Sequence, residues 1–319
     1  MPQPPCTPRR RRRSALTTLA GALVVTAVLA YVLADRRDEF AAALGAAPVW
    51  ILLVATALQL LALVSRTESW HMCVNAAGGT VGRRCLYRAA SVGYVGSQLN
   101  SQIGTAARIG ALRRAAPDEC PRVPALIAAE VPILAIEAGL AALASFTLVG
   151  PLGLPWWVPV VLFAVAVLLV AGLRSVADRW REGFWNGLAV LRSAQGRTGI
   201  VALVLVAVFA QIARNWLMLG AVGVDASIFD ATAVLIAMVT LSQLPVGPSV
   251  GAGAVVLILG ADGPALAAAA GVLLTATGTL GALSYAGWAG VDRLWAGRPA
   301  ARRRRVPPHA IPDPQLATR

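Results

Sequence analysis

Three ionisable side chains, Glu130, Glu137 and Arg214, stand in strongly apolar stretches, and a fourth, Arg108, stands in a polar stretch between apolar segments. An ionisable residue at membrane depth is costly, so it marks a substrate path or is paired with an opposite charge. The chemistry open to this set is anion recognition. A guanidinium offers a planar fork that takes a phosphate through two parallel hydrogen bonds. Glu130 and Glu137 are seven residues apart, so they share one helix face. Either could balance Arg214, which has Gln211 and Asn215 as polar neighbours. The same Glu–Arg pair could equally be a structural link between helices. Arg108 could equally be a cytoplasmic basic residue that sets topology.

Two interrupted segments would have to position these groups. The first, Ser91–Arg114, carries Gln98, Asn100, Ser101, Gln102, Thr105 and Arg108, with Gly93, Gly96, Gly104 and Gly110 among them. It is too polar for a lipid-facing helix and too rich in small and apolar residues for an aqueous loop. A re-entrant hairpin lining a cavity satisfies both constraints. Its glycines would let backbone amides approach an anion, and short half-helix N-termini would add a favourable dipole. The binding candidates here are Asn100, Gln102, Gly104 and Arg108. The second, Phe229–Gly260, holds LSQLPVGPSVGAG at its middle. Pro245, Gly247, Pro248 and Gly251 break the helix, and Ser242, Gln243 and Ser249 add hydrogen-bonding groups. Gln243, Pro245, Gly247, Pro248 and Gly251 join the candidates, although small residues also serve tight helix packing alone.

Composition sets the class. Hydrophobic residues make up 57% of the 319 and charged residues 13%, against about a quarter charged in soluble domains. Several apolar runs reach the roughly 20 residues that a helix needs to cross a bilayer. The expectation is an all-α polytopic membrane protein. The net charge of +13 arises without lysine and argues for topology rather than nucleic acid. An all-arginine basic set accompanies GC-rich genomes, so the expected location is a bacterial plasma membrane, crossed several times. Cys6, Cys73, Cys85 and Cys120 match no zinc spacing, and only His71 and His309 could assist them. No metal or other cofactor is expected.

The chain divides into a disordered basic tail over 1–14, a transmembrane domain over 15–292 and a second disordered basic tail over 293–319. Six full spans are expected, at about 15–34, 48–65, 122–149, 156–173, 198–221 and 264–290. The first is longer than the apolar core of a signal peptide and lacks a clean cleavage site, so it reads as retained. Trp70 is expected at an interface. Trp180, Phe184, Leu188 and Leu191 recur at helical spacing, which suits either a helix lying on the membrane surface or one packed on the bundle. Counting arginines discriminates between topologies. If Ser91–Arg108 enters and returns on the cytoplasmic side, and Phe229–Gly260 does so from outside, 25 of the 28 arginines lie inside. Arg36 and Arg37 are then outside and Arg214 is within span five. Both termini are cytoplasmic, all four cysteines face a reducing compartment, and spans two to three and five to six form an inverted repeat around the two hairpins. That arrangement points to a substrate site near the bilayer midplane.

The run QLNSQIGTAARIGALRR resembles the N…P-G-x-x-G-x-x-x-R segment of the lysylphosphatidylglycerol synthase transmembrane (flippase-like) family. LPVGPSVGAGAVVLILG is similar to that family's L-P-x-x-P-G-x-x-G-x-x-E segment, and Glu130-Val131 corresponds to its E-R pair. The likeness runs from span two to span six through short motifs. Three positions depart from it. Ile103-Gly104 replaces Pro-Gly, Val131 replaces the arginine, and Ala254-Val255 stands where the second segment often ends in an acid. The resemblance implies the lipid-translocating portion alone, without an aminoacyl-transferase domain.

No Ser/His/Asp set, Walker motif, carboxylate cluster or dinucleotide fingerprint is present. A non-enzymatic flippase-like protein acting on an anionic lipid or lipid-linked precursor is therefore the leading expectation. Its competitors are a membrane-embedded transferase with Glu130 or Glu137 as base, and a non-transporting partner in envelope assembly. The expected partners are membrane lipids with anionic headgroups, a homo-oligomer being compatible.

Overall fold

A computed structural model describes residues 37–98, 101–179, 183–242, 250–260 and 263–303. The first expected span and the basic run before it lie outside them. Every regular element among the described residues is helical. Five segments are long and apolar enough to cross a membrane: Val49–Ala76, Val123–Leu152, Trp157–Val176, Ala194–Ala221 and Pro264–Trp295. They fall where spans two to six are expected, and the chain is a multi-pass membrane protein.

Short α1 (Arg37–Ala46) precedes α2 (Val49–Ala76). A helical pair follows, α3 (Arg83–Ser97) and α4 (Ser101–Ala115). The third span is broken into α5 (Val123–Ala128), α6 (Val131–Ala144), a 3-10 turn (Ser145–Leu148) and α7 (Val149–Leu152). Then come α8 (Trp157–Arg179), a 3-10 segment (Gly183–Arg192) and α9 (Ala194–Ala221). A second pair, α10 (Ile228–Leu241) and α11 (Val250–Leu259), leads into α12 (Pro264–Arg303).

Local chemistry explains several boundaries. Ser193 caps α9, its hydroxyl accepting from the Gly196 amide at 2.9 Å. Gly223 ends the same helix at φ +86°, a conformation costly for any side chain. Ser227 and Asp230 form a reciprocal capping box at the start of α10. Pro264 opens α12, where its missing N–H costs nothing.

The frame is the antiparallel pair α2 and α9. The N-terminal half of α2 (Ile51, Ala55) shares a core with Met218 and Leu219 at the C-terminal end of α9, together with α10, α11 and α12. The C-terminal half of α2 (Trp70, Cys73, Val74) shares a second core with Ile200 and Val204 at the start of α9, together with α3, α4, α5 and α6. Between the two cores, Ala62 packs against Ala207 and Ala210, with Leu58 beside them. Helix α12 packs along α1, α2, α3 and α11, and α8 lies against α6 and the 3-10 segment at the edge of the bundle.

Three expectations need correction. The second span was expected to stop at Ser65, before the charges of 66–68, but α2 continues to Ala76. Both charged side chains are paired there, Arg66 with Glu137 and Glu68 with Arg83, which removes the penalty that would end an apolar helix. Trp70 is fully buried rather than interfacial. The basic tail expected from 293 begins as helix, since α12 reaches Arg303. Of the two readings for the 180–191 stretch, packing on the bundle describes 183–192. Leu188 and Val190 are buried, and Gly187 lies so close to α5 that a Cβ there would stand 2.5 Å from the Ala125 carbonyl oxygen.

Candidate functional site

Small residues let α3 and α4 touch. A Cβ on Gly104 would stand 2.7 Å from the Gly93 carbonyl oxygen and 2.9 Å from the Ser97 amide nitrogen. One on Gly93 would stand 2.8 Å from the Arg108 Cβ. The two helices therefore form a closely packed hairpin, and Arg108 leaves it at the level of Gly93. Gly104 is buried and Gln102 exposed, while Asn100 lies outside the described residues. The hairpin is fastened at its base. Arg88 Nε donates to Asp292 Oδ2 of α12 at 2.7 Å. Glu68 of α2 accepts from Arg83 and, at 2.9 Å, from the Tyr87 hydroxyl. Tyr285 of α12 packs between Tyr87 and Tyr94 of α3, with centroids 6.1 and 5.6 Å away.

Arg108 points at the break in the third span. Pro132 has no N–H and its ring opposes the preceding turn, so the helix is interrupted at Ala129-Glu130. That break presents Glu130, which accepts from Arg108 Nη2. The guanidinium also lies over the Trp70 ring, its Cζ 4.2 Å from the centroid. Two turns along α6, Glu137 pairs with Arg66 of α2 at 2.6 Å. The Arg108–Glu130 pair is largely shielded, its side chains being 11% and 15% exposed, while Arg66 in the other pair is 31% exposed.

Arg214 departs from the expected pattern. It pairs with neither Glu130 nor Glu137, because each already holds another arginine. Its Nη1 instead donates to the amide oxygen of Gln59 on α2. Arg214 is 5% exposed and Gln59 8%. Its Nε and the Asn215 Oδ1 have no hydrogen-bond partner among the described residues. The site lies between the two cores, walled on the α12 side by Gly278, whose Cβ position is 3.6 Å from Arg214 Nη1, and Gly281, whose Cβ position is 2.6 Å from Gln59 Cγ.

Of the second set, Gly251 is described and buried. It packs against Gly271 and the Thr275 hydroxyl of α12, closer than any side chain would allow. Gln243, Pro245, Gly247 and Pro248 lie outside the described residues. One turn further along α12, the Thr279 hydroxyl lies 3.0 Å from Gln98 Oε1 at the tip of the first hairpin. The first hairpin and α11 thus reach α12 within a turn of each other, next to Gly278 and Arg214.

No family model, curated relative or solved structure matches this chain. The resemblance noted at the two glycine-rich runs therefore rests on those residues.

Two participants, Gln59 and Arg66, escape the sequence reading, and a third, Trp70, is read there only as an interface residue. They are spaced i, i+7, i+11 and share one face of α2. At 1.5 Å per residue, Arg66 and Trp70 stand about 10 and about 16 Å from Gln59 along the helix axis. The usable signal was that spacing in a helix allowed to run past Ser65. The result is a row of guanidiniums along one helix face, Arg214, Arg66 and Arg108, the last two balanced by carboxylates. Such a row can hold an anion at successive depths. No three His, Cys, Asp or Glu side chains cluster to hold a metal among the described residues.

Proposed function

We propose that this protein carries an anionic lipid, or a lipid-linked anionic precursor, between membrane leaflets. The observation that carries this reading is Arg214. It is a buried guanidinium in a long apolar helix, and no carboxylate ion-pairs with it among the described residues. An uncompensated charge in so apolar a place is expensive unless it has a function. An arriving phosphate would neutralise it. The acyl chains would remain in lipid while the headgroup passes between Arg214 and the Arg108 end of the α2 face.

The packing pattern supports an inverted repeat with two re-entrant hairpins. Helix α2 pairs with α9, its counterpart in the second half. The contact of α12 with α3 has its counterpart in that of α6 and the following 3-10 turn with α10. The contact of α12 with α2 is mirrored by that of α6 with α9. In this reading the first hairpin opens to the cytoplasm, the second to the outside, both termini are cytoplasmic, and the protein resides in a bacterial plasma membrane.

The test is reconstitution into phosphatidylcholine vesicles containing labelled phosphatidylglycerol, with flux followed by quenching of the outer leaflet. Wild-type flux above that of protein-free vesicles, abolished in Arg214→Leu, supports the reading. Equal flux in wild type and Arg214→Leu rejects it.

A further inference from the structure

The two ends of the guanidinium row differ in charge balance, and that difference has a chemical consequence. Arg108, Glu130, Arg66 and Glu137 form two neighbouring ion pairs, so the empty site is neutral. Arg214 has no such partner among the described residues. An anion that reaches Arg214 neutralises it. An anion that takes the place of Glu130 on Arg108 Nη2 leaves one negative charge in excess within a shielded site. Two like charges cannot both be held around one guanidinium at low dielectric, and the group that can shed its charge is the carboxylate.

We propose that Glu130 is a proton-binding residue, and that an anionic headgroup moves onto Arg108 in exchange for protonation of Glu130. The inference rests on the lipid-carrying reading and adds a proton as the co-transported ion. In the loading step the hydrogen bond from Arg108 Nη2 to Glu130 is broken, a phosphate oxygen accepts it instead, and Glu130 takes one proton from water. When the headgroup leaves, Glu130 releases that proton and recovers Arg108. No covalent bond forms and no electrons move.

The geometry suits the exchange. Glu130 sits at the break between α5 and α6, its N–H donating to the Ile127 carbonyl at 3.2 Å, and its side chain faces Arg108 there. Arg108 stays in place without Glu130, since it rests on the Trp70 ring and is pressed against Gly93. The other groups near Glu130 leave it as the proton acceptor. From α2 come Arg66, already held by Glu137, and the buried Cys73. From α3 comes Tyr94, whose hydroxyl is 3.0 Å from both Thr67 Oγ1 and the Leu63 carbonyl. The 3-10 segment packed on α5 contributes apolar Val190 to the shared core.

The test is titration calorimetry on the purified full chain in detergent. Dihexanoyl phosphatidylglycerol is the probe, and each titration is repeated in two buffers of different ionisation enthalpy so that protons are counted. Arg214→Leu closes the end that needs no proton. In that variant, uptake of one proton per lipid is expected, with affinity falling about tenfold per unit rise in pH. In E130Q/R214L, binding without proton uptake and independent of pH is expected. Binding to R214L with no proton taken up overturns the proposal, as does an unchanged proton count in E130Q/R214L. Loss of binding in R214L while the wild type still binds also overturns it. If neither variant can be recovered folded, the pH dependence of wild-type lipid flux decides, and flux that does not change with pH overturns it. Proton-free binding by R214L, beside a wild type that still moves lipid in vesicles, rejects this proposal alone. Absence of both binding and flux rejects the lipid-carrying reading itself. Inorganic phosphate is the parallel probe, and proton uptake with it but not with the lipid overturns both.

Discussion

Arg214 donates to Gln59 across the α2–α9 contact, a cation and a neutral amide in a place where a cation and a carboxylate would cost less. Two glycines of α12, Gly278 and Gly281, lie against the pair. The arrangement stabilises the fold poorly, in keeping with the anion site proposed above.

Replacing Arg214 by leucine should therefore abolish lipid flux while leaving stability unchanged or raised, because removing a poorly compensated buried charge is often neutral or favourable. Gln59→Leu should be worse for the fold, lowering stability by roughly 1–3 kcal/mol as the guanidinium loses its hydrogen bond. The double variant should recover. Thermal unfolding in detergent, read beside vesicle flux, checks all three.

Two glycines of α4 should respond in opposite directions. Gly104→Ala drives a methyl into the Gly93 carbonyl and the Ser97 backbone and should cost about 1–3 kcal/mol as overpacking. Gly110 has only the end of Arg114 near its Cβ position, at 3.8 Å, so Gly110→Ala should gain up to about 1 kcal/mol from helix propensity. Melting temperatures of the two variants decide.

The base of the first hairpin is tied to α12 through Arg88 and Asp292, partly buried and joined by two hydrogen bonds at 2.7 and 3.0 Å. Removing either side chain should cost about 1–3 kcal/mol. The Arg88→Ala/Asp292→Ala double variant should lose less than the sum of the singles. A double-mutant cycle on stability reads the coupling directly.

Cys120 lies in the segment joining α4 to α5, its thiol half-buried against the Leu112 carbonyl at 3.8 Å. Burial, with a smaller push from Cys85, raises this thiol above its ordinary range. Its reactive thiolate is therefore scarce at neutral pH, and maleimide labelling should accelerate about tenfold per pH unit up to the raised value. With Cys6, Cys73 and Cys85 replaced by alanine, a membrane-impermeant maleimide should label inverted vesicles and spare intact cells. The reverse would reject the cytoplasmic placement of the first hairpin.

Much of this architecture is legible one residue at a time. Apolar length marks five of the expected spans, because a bilayer demands about 20 consecutive apolar residues wherever they occur in the chain. Glycine clusters mark α3–α4 and α11, because close helix contact excludes side chains. Pro132 marks the break that presents Glu130. Arg66 and Trp70 were not legible in the same way, since a charge followed by polar residues looks like the end of a helix unless its partner is known. That partner, Glu137, lies more than seventy positions away.

The sequence by itself thus determined the class, the spans and which residues were too polar for their surroundings, since each depends on local composition and period. Only the tertiary structure decided who pairs with whom. Charge balance is a property of neighbours in space. The antiparallel contact of α2 with α9 brings Arg214 to Gln59, and the hairpin aims Arg108 at Glu130. The expected Glu–Arg214 pair gives way because both glutamates are already neutralised by arginines that α2 and α4 carry to them.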